Sequence, residues 1–125
     1  MGKYVFLSEG VRGSLSKQVI EKYDLAAGCD VPKFGLGMKE IWEVDPERHN
    51  EGEVTHSLGW PLGFKNSGGS FIYHLDNNQV YVGYIVDLNY KNPYLSPYME
   101  FQRFKHHPKI AKLLKGELKK KNKIK

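Results

Sequence analysis

Residues 68–88 read GGSFIYHLDNNQVYVGYIVDL, two aromatic-rich segments on either side of a short polar turn. Apolar and polar residues alternate within each segment, and this period of two is typical of β-strands. We therefore expect strands over residues 70–75 and 79–88. The turn Asp76-Asn77-Asn78 favours a tight hairpin between them, since asparagine tolerates positive φ better than most residues.

Two more strand-like segments precede this hairpin. Residues 34–44 and 53–60 show the same alternation, and breaks at Asp45-Pro46 and at residues 61–63 separate them from their neighbours. Four strands joined by short links predict an antiparallel meander, in which each strand pairs with the next one along the chain. With helices flanking this sheet, the fold class is α+β.

The amino-terminal segment predicts a strand, a turn and a helix. Residues 3–7 are typical of a short buried strand, and Ser8-Glu9-Gly10 forms a turn after it. Leu15 and Val19 recur at helical spacing, so an amphipathic helix is expected from Ser14, with Ser14 as its N-cap.

The carboxyl-terminal part predicts two helices. A rigid proline-containing loop at residues 92–97 leads into a helix that begins at Ser96 or Pro97. This helix extends to about His106 and is ended by Pro108. A second, basic helix is expected over residues 109–114.

Composition and charge exclude several classes of function. The 125 residues carry a formal net charge of +5, but the excess lies in a lysine-rich end, which is typical of a solvated terminus. We therefore expect no nucleic-acid partner. Cys29 is the single cysteine, so this chain forms no intrachain disulfide and no four-cysteine zinc or iron-sulfur site. No apolar run approaches the roughly 20 residues that span a bilayer.

Few residues predict chemistry by their spacing. The pair Gly68-Gly69 stands at the start of a strand, where it fits either a bend or the close approach of a ligand to the backbone. The aromatic residues of the strands suit either a core or the stacking of a planar ring. The spacing of six candidate metal ligands matches no zinc template: His56, His74, His106, His107, Glu40 and Asp87. We therefore expect no metal site, and we expect no catalytic residue in this chain.

Four ordered blocks carry a resemblance to one family. They read EGVRGSLSKQVIEKYDL (residues 9–25), FGLGMKEIWEVDPERH (34–49), GWPL with GGSFIYHL (59–62 and 68–75) and DLNYKNPYLSPYMEFQRFKHHP (87–108). This series resembles the electron-transfer flavoprotein:ubiquinone oxidoreductases over residues 9–108. Their joint occurrence is far more specific than any single glycine motif.

The resemblance implies a fold and a function. In that family, an FAD domain of the glutathione-reductase-like type carries an inserted ubiquinone-binding domain with an antiparallel sheet, and a 4Fe-4S domain follows. Electrons pass from reduced electron-transfer flavoprotein to ubiquinone in the membrane. The resemblance implies ubiquinone binding at Gly68 and Gly69, and FAD contacts at four residues of the first turn: Glu9, Gly10, Arg12 and Gly13.

The chain also departs from the family pattern. Lys65-Asn66-Ser67 replaces a His-Thr-Tyr run before the glycine pair, and the G-x-G-x-x-G loop and the cysteine cluster are missing. We therefore expect a fragment that is inactive alone. Residues 1–28 would be a remnant of the FAD domain, 29–108 the ubiquinone-binding domain with the return toward the FAD domain, and 109–125 a basic tail.

Two expectations complete this interpretation. The family resides peripherally on the inner mitochondrial or bacterial cytoplasmic membrane, whereas this fragment alone would be soluble and cytoplasmic. The alternative function is a stand-alone module that binds a quinone or another apolar ring without catalysis.

Overall fold

A computed structural model describes residues 2–115 of the chain, so the expected tail beyond residue 115 lies outside the described part. The chain divides after Pro32 into two compact units. In chain order the elements are α1 (Ser14–Lys22), β1 (Gly35–Glu43), a 3-10 helix (Pro46–Arg48), β2 (Val54–Ser57), β3 (Gly68–His74), β4 (Gln79–Asp87), α2 (Pro97–Lys105) and α3 (Pro108–Leu113). Among the described residues, no helix is long and apolar enough to cross a membrane.

The second unit contains the predicted antiparallel sheet, and the α+β class is confirmed. Its four strands are all paired antiparallel. The hairpin between β3 and β4 is also confirmed, because Asn77 and Asn78 both adopt a φ of 56° in the turn. Two residues with positive φ match the right-handed twist of the strands that they join.

The expected meander is wrong in one respect, because β1 does not pair with β2. The strand order is β1-β4-β3-β2, and β1 pairs with β4 from Gly35 opposite Asp87 to Glu43 opposite Gln79. β4 is the most apolar strand, and a central position buries it between two neighbours. The chain therefore places β1 and β2 at the two edges of the sheet.

One face of the sheet packs against the carboxyl-terminal helices. Val80, Val82 and Val86 of β4 have no exposed surface, and Tyr84 on the same face is 1% exposed. The Tyr84 ring stacks on Phe101 of α2 with 5.9 Å between ring centroids. Ile110 and Leu113 of α3, and Leu114 directly after it, join this core, and both predicted helices are confirmed.

A partly buried ion pair joins α2 to β1. Lys105 Nζ donates to both oxygens of Glu40, at 2.7 and 2.8 Å, and Trp42 Nε1 donates to Glu40 Oε2 at 2.9 Å. The Lys105 side chain also lies over the Trp42 and Phe101 rings. Glu40 is therefore a structural residue that holds the helix on the sheet.

The first unit corrects two expectations. Residues 3–10 form no strand, because a strand needs a neighbour for its backbone hydrogen bonds and this unit contains no other strand. The helix is confirmed as α1, but Ser14 is its first helical residue, and the N-cap is Gly13 without a side-chain bond. Glu9 performs the capping instead, since its carboxylate accepts from the N–H groups of Leu15 and Ser16.

His74 is the one histidine of the described chain that lies in the core. The residue is 6% exposed, and its Nδ1 accepts a hydrogen bond from the Asn50 N–H at 3.0 Å. Burial lowers the pKa of His74 below 6.5, an effect that Glu53 opposes and His49 reinforces. The neutral ring is therefore part of the folded structure, because protonated Nδ1 is no longer an acceptor.

We expect the free energy of unfolding to fall as the pH drops from 6.5 toward the lowered pKa of folded His74. In that interval the unfolded chain binds a proton that the folded chain does not, so acid favours unfolding; above 6.5 the stabilisation is complete. Urea unfolding between about pH 5 and 8 measures this slope. His74→Gln should flatten it, and His56→Gln, at an exposed position, should retain it. An equal slope in the His74 variant would contradict the assignment.

Candidate functional site on the open face of the sheet

The second face of the sheet is exposed. Val54 is 62% exposed and Ile41 42% exposed, although both are apolar and lie in strands. The alternation of the strands and their register place fifteen residues on this surface, which we call the open face: Gly35, Gly37, Lys39, Ile41, Glu43, Val54, His56, Gly69, Phe71, Tyr73, Gln79, Tyr81, Gly83, Ile85 and Asp87.

A groove of about 350 Å³ lies on the open face where β2 ends beside β3. This volume is in the range of small-molecule sites, which begins at about 300 Å³. Leu58, Phe71 and Ile85 give the groove an apolar lining. The lining as a whole is His56, Ser57, Leu58, Gly68, Gly69, Ser70, Phe71, Tyr73 and Ile85.

The predicted pair Gly68 and Gly69 lies in this groove, and tight packing requires both glycines. A Cβ atom on Gly69 would be 2.7 Å from the Ser57 carbonyl oxygen. Gly68 has a φ of +155°, and a Cβ there would be 2.6 Å from Leu62 Cδ1 and closer still to the Ile85 carbonyl oxygen. Larger residues are thus excluded whether or not a ligand binds.

The hydrogen-bond ladder gives the two glycines different roles. Asp87 N–H donates to the Ser67 oxygen at 3.0 Å, and Leu75 N–H donates to the Gln79 oxygen at 2.8 Å. In an antiparallel sheet, the backbone groups of successive residues face opposite neighbours in turn. Ser67 and Leu75 bond to β4, so the N–H and C=O groups of Gly69, an even number of residues from both, also face β4. The N–H of Gly68 points the other way, toward β2, and β2 has already ended at Ser57. Gly68 therefore directs a backbone donor toward the groove.

A hydrogen-bonded pair of side chains forms the polar wall of the groove. His56 Nε2 lies 3.1 Å from the Tyr73 hydroxyl, across the β2–β3 junction. Phe71 stacks on Tyr73 with 4.6 Å between centroids, and the Phe71 ring lies against the backbone of Gly83, where a side chain would clash. The sequence did not single out this pair, because only the register of β2 on β3 brings it together.

An apolar loop, residues 58–64, borders the groove. Leu58, Trp60 and Phe64 are 81%, 48% and 99% exposed, whereas Leu62 is buried in the core. Asn66 Nδ2 donates to the Leu62 oxygen at 3.2 Å and so holds the base of the loop. Asn66 thus has a structural role at a position where the resemblance leads one to expect part of an aromatic-containing run.

The other histidines and acidic residues do not assemble into a site. Among residues 2–115 no three His, Cys, Asp or Glu side chains are placed to hold a metal ion. His56 lies on the open face and His74 on the core face. Glu40 is engaged by Lys105 and Trp42. Tyr84 faces the core, where burial raises its pKa to about 12.

The first unit contains the four residues for which the resemblance implies an FAD contact. The Glu9 carboxylate accepts from the Ser16 N–H and hydroxyl, at 2.7 and 2.8 Å, and these bonds hold the pKa of Glu9 below its ordinary value. An anion already occupies this helix N-terminus, so it does not fit a flavin phosphate. Gly10, with φ +73° and open space around it, lies in a turn that can approach a flat ring.

The fold is an α+β domain whose open sheet face carries a groove with apolar and aromatic lining residues. The family model for the ubiquinone-binding domain of ETF-QO matches residues 34–121. The chain therefore belongs to the family of electron transfer flavoprotein-ubiquinone oxidoreductases, through that domain.

Individual relatives agree with the family model. The electron transfer flavoprotein-ubiquinone oxidoreductase of Pseudomonas aeruginosa is 54% identical over 114 residues, which cover 91% of this chain and 21% of the relative. The mitochondrial proteins of Arabidopsis thaliana and Rattus norvegicus are 50% and 48% identical, with 92% and 91% of this chain covered, and 18% and 19% of the relatives. The chain thus spans about a fifth of the length of these relatives.

Proposed function

We propose that this chain supplies the ubiquinone-binding part of an electron-transfer enzyme. The observation that carries the proposal is the position of Gly68, which lines an apolar and aromatic groove and whose N–H, by the alternation of the ladder, faces away from β4 toward the space beyond the end of β2. The names of the family and of the relatives agree with a quinone as the ligand.

The groove matches the chemistry of a quinone. A quinone is a flat ring with two carbonyl oxygens, and Leu58, Phe71 and Ile85 provide apolar and aromatic contacts for the ring. One carbonyl oxygen accepts a hydrogen bond from Gly68. Reduction adds electron density to that oxygen, so a fixed N–H stabilises the reduced ligand more than the oxidised one. Gly69 keeps the groove open, because any side chain there would project into it.

The electron path belongs to the longer protein. Electrons would enter from reduced electron-transfer flavoprotein, pass through FAD and a 4Fe-4S cluster, and leave on ubiquinone. When bound, the flavin supplies the exchange of one or two electrons. The single cysteine, Cys29, cannot hold the cluster, so we propose that the isolated chain is inactive.

Residues 1–28 are proposed as a remnant of the FAD domain, before the ubiquinone-binding part at 29–108 and the basic segment at 109–125. Val5, Phe6 and Val11 support this assignment, since they are 85%, 89% and 94% exposed. Apolar residues exposed to this extent are expected where a larger domain covers them. The Gly10 turn and the exposed Arg12 side chain would then lie beside the flavin.

A stand-alone quinone-binding module is the alternative function. It shares the groove and differs in needing neither flavin nor a further domain. A monomeric, cooperatively unfolding chain that binds quinone favours this alternative over a fragment that aggregates through its exposed surfaces.

Peripheral membrane contact is also proposed, through the apolar loop of residues 58–64. Leu58 lines the groove, and the exposed side chains of Trp60 and Phe64 lie in the same loop. Insertion of these side chains at a lipid interface would bring the groove to the phase in which a long-chain quinone dissolves.

The chain should bind ubiquinone-1, a soluble short-chain quinone, at one site. We expect Gly69→Ala to raise the dissociation constant about tenfold, or about 1.4 kcal/mol, because the added methyl group displaces the backbone beside the groove. Gly37→Ala is the matched control: it lies on β1, outside the groove, and its Cβ would meet only Ile85 Cγ1, at 4.0 Å. Titration calorimetry measures both constants. Equal affinities in the two variants would contradict the location of the site.

Addition of FAD and a chemical reductant should produce no flavin-dependent quinone reduction by the isolated chain. The observation to make is flavin absorbance after gel filtration, followed by ubiquinone-1 consumption with and without flavin. Stoichiometric retention of FAD together with turnover would overturn the proposed inactivity and leave the quinone site intact.

Co-sedimentation with phosphatidylcholine vesicles tests whether the loop of residues 58–64 binds a lipid surface. These vesicles carry no net charge, so the lysine-rich end contributes little to binding. Phe64→Ser should lower the bound fraction about tenfold, since burial of one such side chain contributes about 1.5–3 kcal/mol. Val31→Ser, at a residue 84% exposed outside the loop, should bind like the native chain. An equal loss of vesicle binding in the two variants would contradict a specific role of the loop, because any exposed apolar residue would then contribute as much.

A further inference from the structure

Reduction of a quinone requires protons as well as electrons. In two steps, Q + e⁻ + H⁺ gives QH•, and QH• + e⁻ + H⁺ gives QH₂, where the reductant is a reduced flavin or another one-electron donor. The Gly68 amide stabilises charge on a quinone oxygen but does not release its proton. A groove that supports the reaction therefore needs a second kind of hydrogen donor.

Only two of the groove residues carry acidic or basic side chains. They are His56 and Tyr73, because the other lining residues are serines, glycines and apolar residues. The two serines form a hydrogen bond with each other, with 2.5 Å between Ser57 Oγ and Ser70 Oγ, and Ser70 is buried. Imidazole is the side chain that exchanges protons most readily near neutral pH.

The geometry of this pair suits proton transfer. The His56 Nε2 and the Tyr73 hydroxyl are within hydrogen-bond distance, at 3.1 Å. They lie diagonally across the β2–β3 pairing, since His56 is opposite Phe71 and Tyr73 is opposite Val54. The stacked Phe71 ring fixes the plane of Tyr73. His56 is exposed, so water can restore its proton.

The remaining titratable groups of the open face lie elsewhere. Lys39 of β1 lies over the Tyr81 ring of β4, with Nζ 5.0 Å from the ring centroid. Glu43 and Asp87 are on the same face, at opposite ends of the pairing of β1 with β4. None of these four residues lines the groove, so Tyr73 and His56 are the titratable side chains among its lining residues.

We propose that Tyr73 and His56 form a proton relay for the quinone oxygen that does not face Gly68, an inference that rests on the proposed function. The reduced oxygen takes the phenolic proton of Tyr73, so that one O–H bond breaks and another forms. Tyrosinate then takes the Nε2 proton of protonated His56, and His56 takes a proton from water. The net change is the transfer of one proton from water to the quinone oxygen. The second proton reaches the oxygen at Gly68 directly from solvent.

Pulse radiolysis of the native chain with bound ubiquinone-1 tests the relay. In formate solution the pulse supplies a one-electron reductant, and the absorbance of the semiquinone anion reports its protonation. Tyr73→Phe and His56→Gln should slow protonation by about tenfold or more, in line with the loss of a general acid. The dissociation constant of ubiquinone-1 is measured for both variants, and the protonation rates are compared at saturating ubiquinone-1, so that a change of affinity does not enter the rates.

Tyr81→Phe is the matched control, because it removes a tyrosine hydroxyl from the same face outside the groove. Added imidazole should restore the rate in His56→Gln, an effect that a purely structural role of His56 would not produce. Native protonation rates in both variants would overturn the relay and leave quinone binding in place. Loss of quinone binding in both would overturn it too, by making the pair a binding element. Failure of the native chain to bind ubiquinone-1 would reject the proposed function and the relay together.

Discussion

The register between β3 and β4 is the constraint on which the core and the groove both depend. Val80, Val82 and Val86 point into the core, while Tyr81, Gly83 and Ile85 point to the open face. A slip of one residue would exchange the two sets. Each buried valine contributes about 1.5–3 kcal/mol relative to an exposed one, so the slipped sheet would lose its core. The turn at Asn77 and Asn78 supports the same register locally.

The elements of the second unit were predictable from the sequence, but their neighbours were not. Alternation identifies a strand and its two faces, and the residues around Pro97 identify a helix start. Neither signal says which strands pair, so the position of β1 beside β4 had to come from the structure. The strand expected at residues 3–7 is absent for the same reason, because an apolar pattern does not show whether another strand is available to pair with it.

The candidate site was predictable only in part for a related reason. The glycine pair was visible in the sequence, but the end of β2 was not: alternation continues to Trp60, whereas the strand ends at Ser57. Gly59 has a φ of +88°, which turns the chain away from β3. Nothing in the one-dimensional pattern says that this turn leaves the Gly68 amide beyond the last strand pair. The pairing of His56 with Tyr73 is equally a product of register.

Glycine at positions 68 and 69 is therefore not by itself a sign of function. The packing of Ser57, Leu62 and Ile85 requires both glycines, and a sheet without any ligand would need them for the same reason. The proposed function rests on a difference between the two residues. The amide of Gly69 belongs to the ladder with β4, and that of Gly68 faces the space where β2 has ended. In the proposed function, Gly69 therefore keeps the groove open and Gly68 supplies a hydrogen-bond donor, a combination that suits a flat ligand with a carbonyl oxygen.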